Sequence, residues 1–139
     1  MKFIFSLKFI AISYILLLFV LSVLPINGKE SAVNGTYVFQ LRLDYLIHIL
    51  LFLPWMTILL FNSREASTNF FLFRPLIWLI LGFVLVIATE GVQYFIPYRA
   101  FNSRDLFSNS LGLIAGVGLY AILKTKVTAI ITRLDINKL

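Results

Sequence analysis

Long apolar runs alternate with short polar segments along the chain. The runs cover residues 9–26, 44–61, 75–97 and 105–123. Each is as long as a membrane-crossing helix needs to be, about 17–25 residues. Because backbone groups in lipid must satisfy their own hydrogen bonds, each run is predicted to be a helix. The pattern therefore predicts an all-α fold, a four-helix transmembrane bundle, forming a single domain over residues 1–139.

The composition supports a membrane protein. Charged residues make up 13% of the chain and hydrophobic residues 60%, whereas a soluble domain carries about 25% charged residues. The net charge is +6, but the basic residues stand singly between apolar runs, as charges that flank membrane spans do. We therefore expect no nucleic-acid partner. The absence of cysteine excludes disulfides and thiol chemistry.

The first run could also be a signal peptide, because Lys2 and Lys8 precede it. It is longer than the usual apolar region of about 7–15 residues, and no clean small-x-small cleavage site follows it. We interpret it as an uncleaved first helix.

The distribution of Lys and Arg predicts the orientation. With the N-terminus inside, the inner segments carry Lys2, Lys8, Arg64, Arg74, Lys124, Lys126, Arg133 and Lys138, and the outer loops carry Lys29, Arg42, Arg99 and Arg104. This bias predicts a protein of the cytoplasmic (inner) membrane with both termini in the cytoplasm.

Polar residues concentrate where three of the predicted helices reach the outer face. They form three pairs at helical spacing: Asp44 with His48, Glu90 with Gln93, and Asp105 with Asn109. Spacings of three or four residues place each pair on one face of its helix. Arg99 and Arg104 lie in the hairpin between the third and fourth helices. The topology predicts that these groups converge on one site.

Each residue also has an ordinary structural interpretation. Asp44 and Asp105 suit the first turn of a helix, and Asn109 suits a hydrogen bond between helices. His48 could be a satisfied core histidine, and the two arginines could anchor the interface. A carboxylate inside a span, such as Glu90, is functional by default, and a structural hydrogen bond is the alternative. The convergence of all these groups favours a ligand-binding site.

A stripe of small residues, Ser108, Gly112 and Gly116, repeats every four positions in the last run. Such stripes let helix backbones approach closely in lipid, so we expect close packing at Gly112 and Gly116. Pro54 lacks a backbone donor and should kink the second helix.

Together these motifs resemble the VanZ-like family of small bacterial membrane proteins. The resemblance covers residues 44–116. It rests on the motifs D-x-x-x-H and E-x-x-Q, a following Arg and Asp, and the motif N-x-x-G. The matching residues are, in order, Asp44, His48, Glu90, Gln93, Arg99, Asp105, Asn109, Gly112 and Gly116. The family usually has Lys after the first Asp, where this chain has Tyr45. The resemblance implies a cell-envelope protein and, by analogy alone, a connection with glycopeptide resistance.

Three functions fit these features. In the first, the outer cluster binds an amphiphilic or lipid-linked molecule, and Arg99 and Arg104 meet a phosphate or carboxylate; the partners are then membrane lipid and this envelope molecule. In the second, the protein is an enzyme in which Glu90 and His48 act as an acid–base pair, although no nucleophile motif is present. In the third, the bundle is structural. A transporter is disfavoured because four spans without an internal repeat suit it poorly.

The sequence predicts neither a cofactor nor a metal site, because the spacing of the acids and His48 matches no metal-binding signature. It leaves the oligomeric state open. For Glu90 we expect an ion pair, with Arg99 as the main partner and His48 as the alternative. Asp105 would then pair with Arg104 or with the free N–H groups of its own helix.

Overall fold

The computed structural model describes residues 7–24, 36–38, 41–62, 70–98 and 101–136. Its elements are α1 (Leu7–Val23), β1 (Tyr37–Val38), β2 (Leu41–Arg42), α2 (Leu43–Phe52), a 3₁₀ helix (Trp55–Asn62), α3 (Phe70–Gln93) and α4 (Ser103–Ile136). The predicted all-α, four-helix architecture is confirmed. The two short strands, which the sequence pattern did not predict, pair antiparallel directly before α2.

Three helical segments are long and apolar enough to cross a membrane. They are Leu43–Leu60, Arg74–Gln93 and Ser103–Ile130. The described part of α1 has 17 residues, or about 25 Å at 1.5 Å per residue, which is short of a hydrocarbon core of about 30 Å. The protein is a membrane protein built on these apolar helices.

The ends of two helices differ from the predicted spans. The third span was expected to reach residue 97, but α3 ends at Gln93. The next three N–H groups, on Tyr94, Phe95 and Ile96, bond to carbonyls three residues back, which tightens the chain into a turn before Pro97. At the other end of the bundle, α4 continues past residue 123 to Ile136, because hydropathy marks the edge of the membrane and not the end of a helix.

Pro54 interrupts the second span, as predicted. Leu53 N–H still bonds to Ile49 O at 3.1 Å, but Pro54 has no N–H to continue the α-helical ladder. Thr57 then donates to Pro54 O from both its backbone nitrogen, at 2.9 Å, and its hydroxyl, at 2.7 Å. The predicted single helix over 44–61 is therefore two segments, α2 and the 3₁₀ helix.

The helices meet in an apolar core that lies directly beside the predicted polar site and extends past Pro54. Its buried members include Leu18, Phe52, Trp55, Met56, Val86 and Leu113. The indoles of Trp55 and Trp78 stack with centroids 4.6 Å apart, and this pair fixes the 3₁₀ helix against α3. The most extensive helix pairing is that of α2 with α4.

Candidate functional site

Six of the eight polar residues predicted to converge are buried together at one end of the bundle. We call Asp44, His48, Glu90, Gln93, Asp105 and Asn109 the polar cluster; α2, α3 and α4 each contribute two of them. All six side chains are buried, and Glu90 is 0% exposed. The end of the bundle that carries them is called the polar end below.

The cluster lies close to the helix ends. Glu90 is three residues from the end of α3, so it lies about 4.5 Å from that end. Measured from Pro97, the end of the predicted span, the distance would have been about 10 Å. The earlier end of α3 thus brings Glu90 within one turn of the polar end.

Asn109 joins two helices to its own. Its Nδ2 donates to Glu90 Oε1 over 2.8 Å, and its Oδ1 lies 3.0 Å from His48 Nδ1. A carbonyl oxygen only accepts, so Nδ1 is the donor in the second bond. The carboxylate on α3 therefore orients the amide on α4, and the amide fixes the tautomer of the imidazole on α2.

His48 stands between two carboxylates. With Nδ1 bonded to Asn109, Nε2 faces Asp105 Oδ2 at 3.5 Å, and Nδ1 is also 4.0 Å from Glu90 Oε1. Nε2 is buried and makes no hydrogen bond to any described residue. A proton on Nε2 makes the contact with Asp105 an ion pair, whereas a bare Nε2 would face the carboxylate lone pair to lone pair. The contact between His48 and Asp105 is therefore favourable only with a proton between the two groups.

Asp105 is also held by the N-terminus of its own helix. Asn102 precedes α4, and its Oδ1 accepts from Arg104 N–H at 3.1 Å, as an N-cap residue does. Its Nδ2 donates to Asp105 Oδ1 over 2.8 Å. Asn102 thus caps the first turn and at the same time orients Asp105, whose second carboxylate oxygen faces His48.

Asp44 is paired locally. Arg42 Nη2 donates to Asp44 Oδ2 over 2.7 Å, and Tyr45 N–H donates to Asp44 Oδ1 over 3.0 Å. The Arg42 guanidinium also lies 4.8 Å from the Tyr45 ring centroid, and Arg104 donates to the Tyr45 hydroxyl over 3.4 Å. Tyr45 is therefore held between two arginines.

Two expectations about ion pairs have different outcomes. The expected pair of Asp105 with Arg104 is not formed: the Arg104 side chain is exposed and turns to Tyr45, because Asn102 and His48 already occupy the two oxygens of Asp105. Arg99, expected to pair with Glu90, lies outside the described residues. The alternative partner, His48, lies at 4.0 Å, while the closer partner of Glu90 is Asn109.

The small-residue stripe lies against the backbone of α2. A Cβ on Gly112 would overlap the carbonyl of Ile49, and a Cβ on Gly116 would overlap that of Leu53. Ser108, which is buried on the same stripe, donates to Arg104 O in its own helix over 2.9 Å. Close approach of α2 and α4 is what brings His48 within hydrogen-bonding distance of Asn109.

A cavity of about 80 Å³ opens beside the cluster, between α1 and the other helices. We call it the polar cavity. Its polar lining residues are Ser22, His48, Thr89, Glu90, Gln93 and Asn109, and Leu18, Leu21 and Phe52 are among its apolar ones. This volume holds two or three water molecules or one small polar group. The cluster is therefore reachable by the functional group of a ligand, from the side of α1.

The charges of the cluster are mostly acidic. Among the described residues it has three carboxylates, those of Asp44, Glu90 and Asp105, and one imidazole, that of His48. The guanidinium of Arg42, outside the cluster, pairs with Asp44. Within the same described ranges, no group of three or more His, Asp or Glu side chains has the geometry to hold a metal ion. The arrangement suits hydrogen bonding and proton exchange with a donor-bearing group.

Sequence reasoning missed four residues that complete the site. Arg42 and Asn102 hold Asp44 and Asp105, and Ser22 and Thr89 line the polar cavity. The signal for Asn102 was present, since Asn followed three residues later by an acid is a capping pattern. No signal marks Ser22, because only tertiary packing brings α1 to the cluster.

The chain matches the family model described as VanZ/LLP1 over residues 9–124, more than four-fifths of its length. No curated protein and no solved structure matches it significantly. The matched region includes the polar ends of the three long apolar helices, the whole polar cluster and the small-residue stripe of α4. The chain therefore belongs to the VanZ/LLP1 family, and it is a VanZ-like membrane protein.

Proposed function

We propose that this protein binds the polar head of an amphiphilic or lipid-linked envelope molecule at the polar cluster. The observation that carries the proposal is a buried acid–amide–imidazole network beside an open cavity: Glu90, Asn109 and His48 line the polar cavity and bond to one another. Buried ionisable groups within membrane helices are costly and mark functional sites by default.

The excess of carboxylates in the polar cluster indicates the chemistry of the head group. The carboxylates accept hydrogen bonds, so a head with hydroxyl or ammonium donors complements them. Arg104 stands exposed in the first turn of α4, beside Tyr45, where it suits a phosphate or carboxylate attached to the same molecule. The hydrophobic part of the ligand stays among the apolar faces of the helices.

We also propose that the polar end faces the outside of the cytoplasmic membrane. The support is the distribution of Lys and Arg, of which eight lie in the segments that this orientation puts inside and four in those it puts outside. Both termini are then cytoplasmic, and the bound head group comes from the outer leaflet.

An acid–base enzyme is the second candidate function. It is favoured by the position of His48, with Asp105 Oδ2 at 3.5 Å and Glu90 Oε1 at 4.0 Å, because such a group can pass a proton between two carboxylates. In that function Glu90 and His48 serve as the acid–base pair for a lipid-linked substrate.

Native mass spectrometry of the purified full-length protein tests the binding function. An amphiphile should co-purify with the wild type and be lost from Glu90→Gln, which replaces a carboxylate with an amide of equal size. Ser110→Ala is the control, because Ser110 bonds within its own helix to Leu106 O and does not line the polar cavity. Equal retention by all three proteins contradicts binding at the cluster.

The same material separates binding from catalysis. If the released amphiphile is chemically unchanged after incubation with the wild type, the binding function stands. If the wild type converts it and Glu90→Gln binds it without conversion, the enzyme function replaces the first proposal.

A further inference from the structure

A second cavity lies on the same side of the bundle as the polar cavity. This apolar groove, of about 320 Å³, lies between α1 and α3 at the far end from the cluster. Its walls include Ala11, Ile15, Trp55, Trp78, Leu81 and Leu85. It exceeds the polar cavity about fourfold in volume, so it can take a substantial part of a molecule.

The two indole rings in the walls of the groove have no free hydrogen-bond donor. Trp55 Nε1–H donates to Trp78 O, and Trp78 Nε1–H donates to Trp55 O, each over 2.9 Å. With both polar atoms used in this reciprocal pair, the rings present only carbon to the groove. A hydrocarbon chain fits such walls, whereas a polar group would lose its hydrogen bonds there.

The two cavities follow a single seam. On α1, residues 8–15 line the groove and residues 18–22 line the polar cavity; on α3, residues 78–85 line the groove and residues 89–93 the polar cavity. The two helices thus run in the same direction along the seam. Leu18 is the first residue of α1 that lines the polar cavity, Leu85 is the last residue of α3 that lines the groove, and both are buried.

The length of the seam indicates the length of its occupant. From Lys8 to Ser22, the outermost lining residues on α1, the helix rises about 21 Å. One leaflet of hydrocarbon is only about 15 Å deep, half of a core of about 30 Å. A chain that begins at the polar cavity and fills the groove therefore passes the middle of the bilayer.

We infer that the ligand of the polar cluster carries one hydrocarbon chain longer than a leaflet, which lies along the α1–α3 seam and ends in the groove against Trp55 and Trp78. This inference rests on the proposed function and names the class of its ligand: a lipid-linked molecule with a single long chain, distinct from the diacyl lipids of the bilayer. The chain passes Leu18 and Leu85 where one cavity gives way to the other.

Tryptophan fluorescence reads this groove directly. The chain contains two tryptophans, and both line the groove, so bromine atoms that enter it quench the whole tryptophan signal. The full-length protein is placed in phosphatidylcholine vesicles and mixed with an alkyl glycoside that carries bromine at the end of its tail. Three probes are compared at equal bromine content: a long-chain glycoside, a short-chain glycoside, and phosphatidylcholine brominated at the ends of its acyl chains.

We expect the long-chain glycoside to quench most strongly. Lipid tails are as apolar as the groove, so only the closer packing of the bound chain favours it over bulk lipid. We therefore expect the long-chain glycoside to quench about twice as strongly as brominated phosphatidylcholine. Equal quenching by the two means that the groove holds bulk lipid only and overturns the inference. Quenching by the short-chain probe as strong as by the long-chain probe overturns it as well.

Two variants add a matched comparison. Ala11→Phe fills the groove and should abolish the excess quenching, whereas Ala115→Phe makes the same change at an exposed position of α4 and should leave it intact. The wild-type probe series decides the question even if Ala11→Phe does not fold.

The variant Glu90→Gln distinguishes a failure of the proposed head-group site from a failure of the chain inference. If the long-chain probe keeps its excess quenching in this variant, the seam binds chains and the proposed head site is wrong. If Glu90→Gln loses the co-purified amphiphile while the wild type shows no excess quenching, the head site stands and the chain inference is overturned.

Discussion

Asn109 on α4 donates a hydrogen bond of 2.8 Å to Glu90 on α3, and both side chains are buried. The bond gives a carboxylate in an apolar bundle a donor from another helix. It also turns the amide oxygen of Asn109 towards His48 on α2. One side chain therefore sets the relative positions of three helices at the polar end.

Replacing Asn109 should destabilise the protein. Asn109→Leu keeps the size of the side chain but removes the donor to Glu90 and the acceptor for His48. Leaving buried polar groups without these bonds should lower the free energy of unfolding by about 2 kcal/mol or more. Thermal unfolding in detergent measures this, with Ser110→Ala as control. A melting temperature for Asn109→Leu equal to that of the control would contradict the bridging role.

The protonation of the imidazole can be observed without ambiguity, because His48 is the chain's single histidine. We expect ¹⁵N-labelled histidine to show a proton on Nδ1, since Asn109 Oδ1 can only accept. Asn109→Asp should change this signal, because a carboxylate then also faces Glu90. A wild-type spectrum with a bare Nδ1 and a protonated Nε2 would refute the assigned network.

The glycines of α4 provide a comparison within one helix. A Cβ at residue 112 or 116 overlaps a carbonyl of α2, whereas a Cβ at residue 118 has nothing within 4 Å. Gly112→Ala and Gly116→Ala should therefore lower the melting temperature. Gly118→Ala should leave it unchanged or raise it, because Ala favours a helix over Gly by about 1 kcal/mol. If all three variants melt alike, α2 and α4 do not pack as closely as described.

The tryptophan pair predicts a smaller, local effect. Trp78→Phe retains an aromatic ring against Trp55 but removes the donor to Trp55 O. The loss of one buried hydrogen bond should cost about 1 kcal/mol of unfolding free energy. Near-ultraviolet circular dichroism should show altered packing of the remaining indole. No change in either the melting temperature or the spectrum would mean that the pair does not hold the 3₁₀ helix.

The orientation can be tested with reporter fusions. Alkaline phosphatase is active only outside the cytoplasm, so a fusion at Asn102 should be active and a fusion after Lys124 inactive. The reverse pattern would place the polar end in the cytoplasm. It would leave the network intact but would remove an outer-leaflet ligand.

The broad architecture and the membership of the cluster could be predicted from the sequence. Apolar runs of sufficient length predict helices, and spacings of three or four residues place Asp44 with His48 and Asp105 with Asn109 on common faces. The pairing within the cluster could not be predicted in this way. Whether Glu90 meets Arg99, His48 or Asn109 depends on helix rotations and on where α3 ends, and neither is encoded in hydropathy.

The contribution of α1 is a second case. Its sequence is apolar almost throughout, so no periodicity shows which face meets α3. Only the packed structure reveals that Ser22 lines the polar cavity while Ala11 and Ile15 line the groove.

The fit of Gly112 and Gly116 against the carbonyls of Ile49 and Leu53 has a consequence for the rotation of α4. Successive residues of an α-helix point about 100° apart. A one-residue insertion or deletion between residues 109 and 112 would keep the glycines seated on α2 but swing Asn109 away from both Glu90 and His48. The spacing of three positions between Asn109 and Gly112 thus fixes the angle between their side chains around the helix axis as well as the distance along it. A chain with a different spacing would keep the packing of α4 on α2 but lose the hydrogen bonds of Asn109.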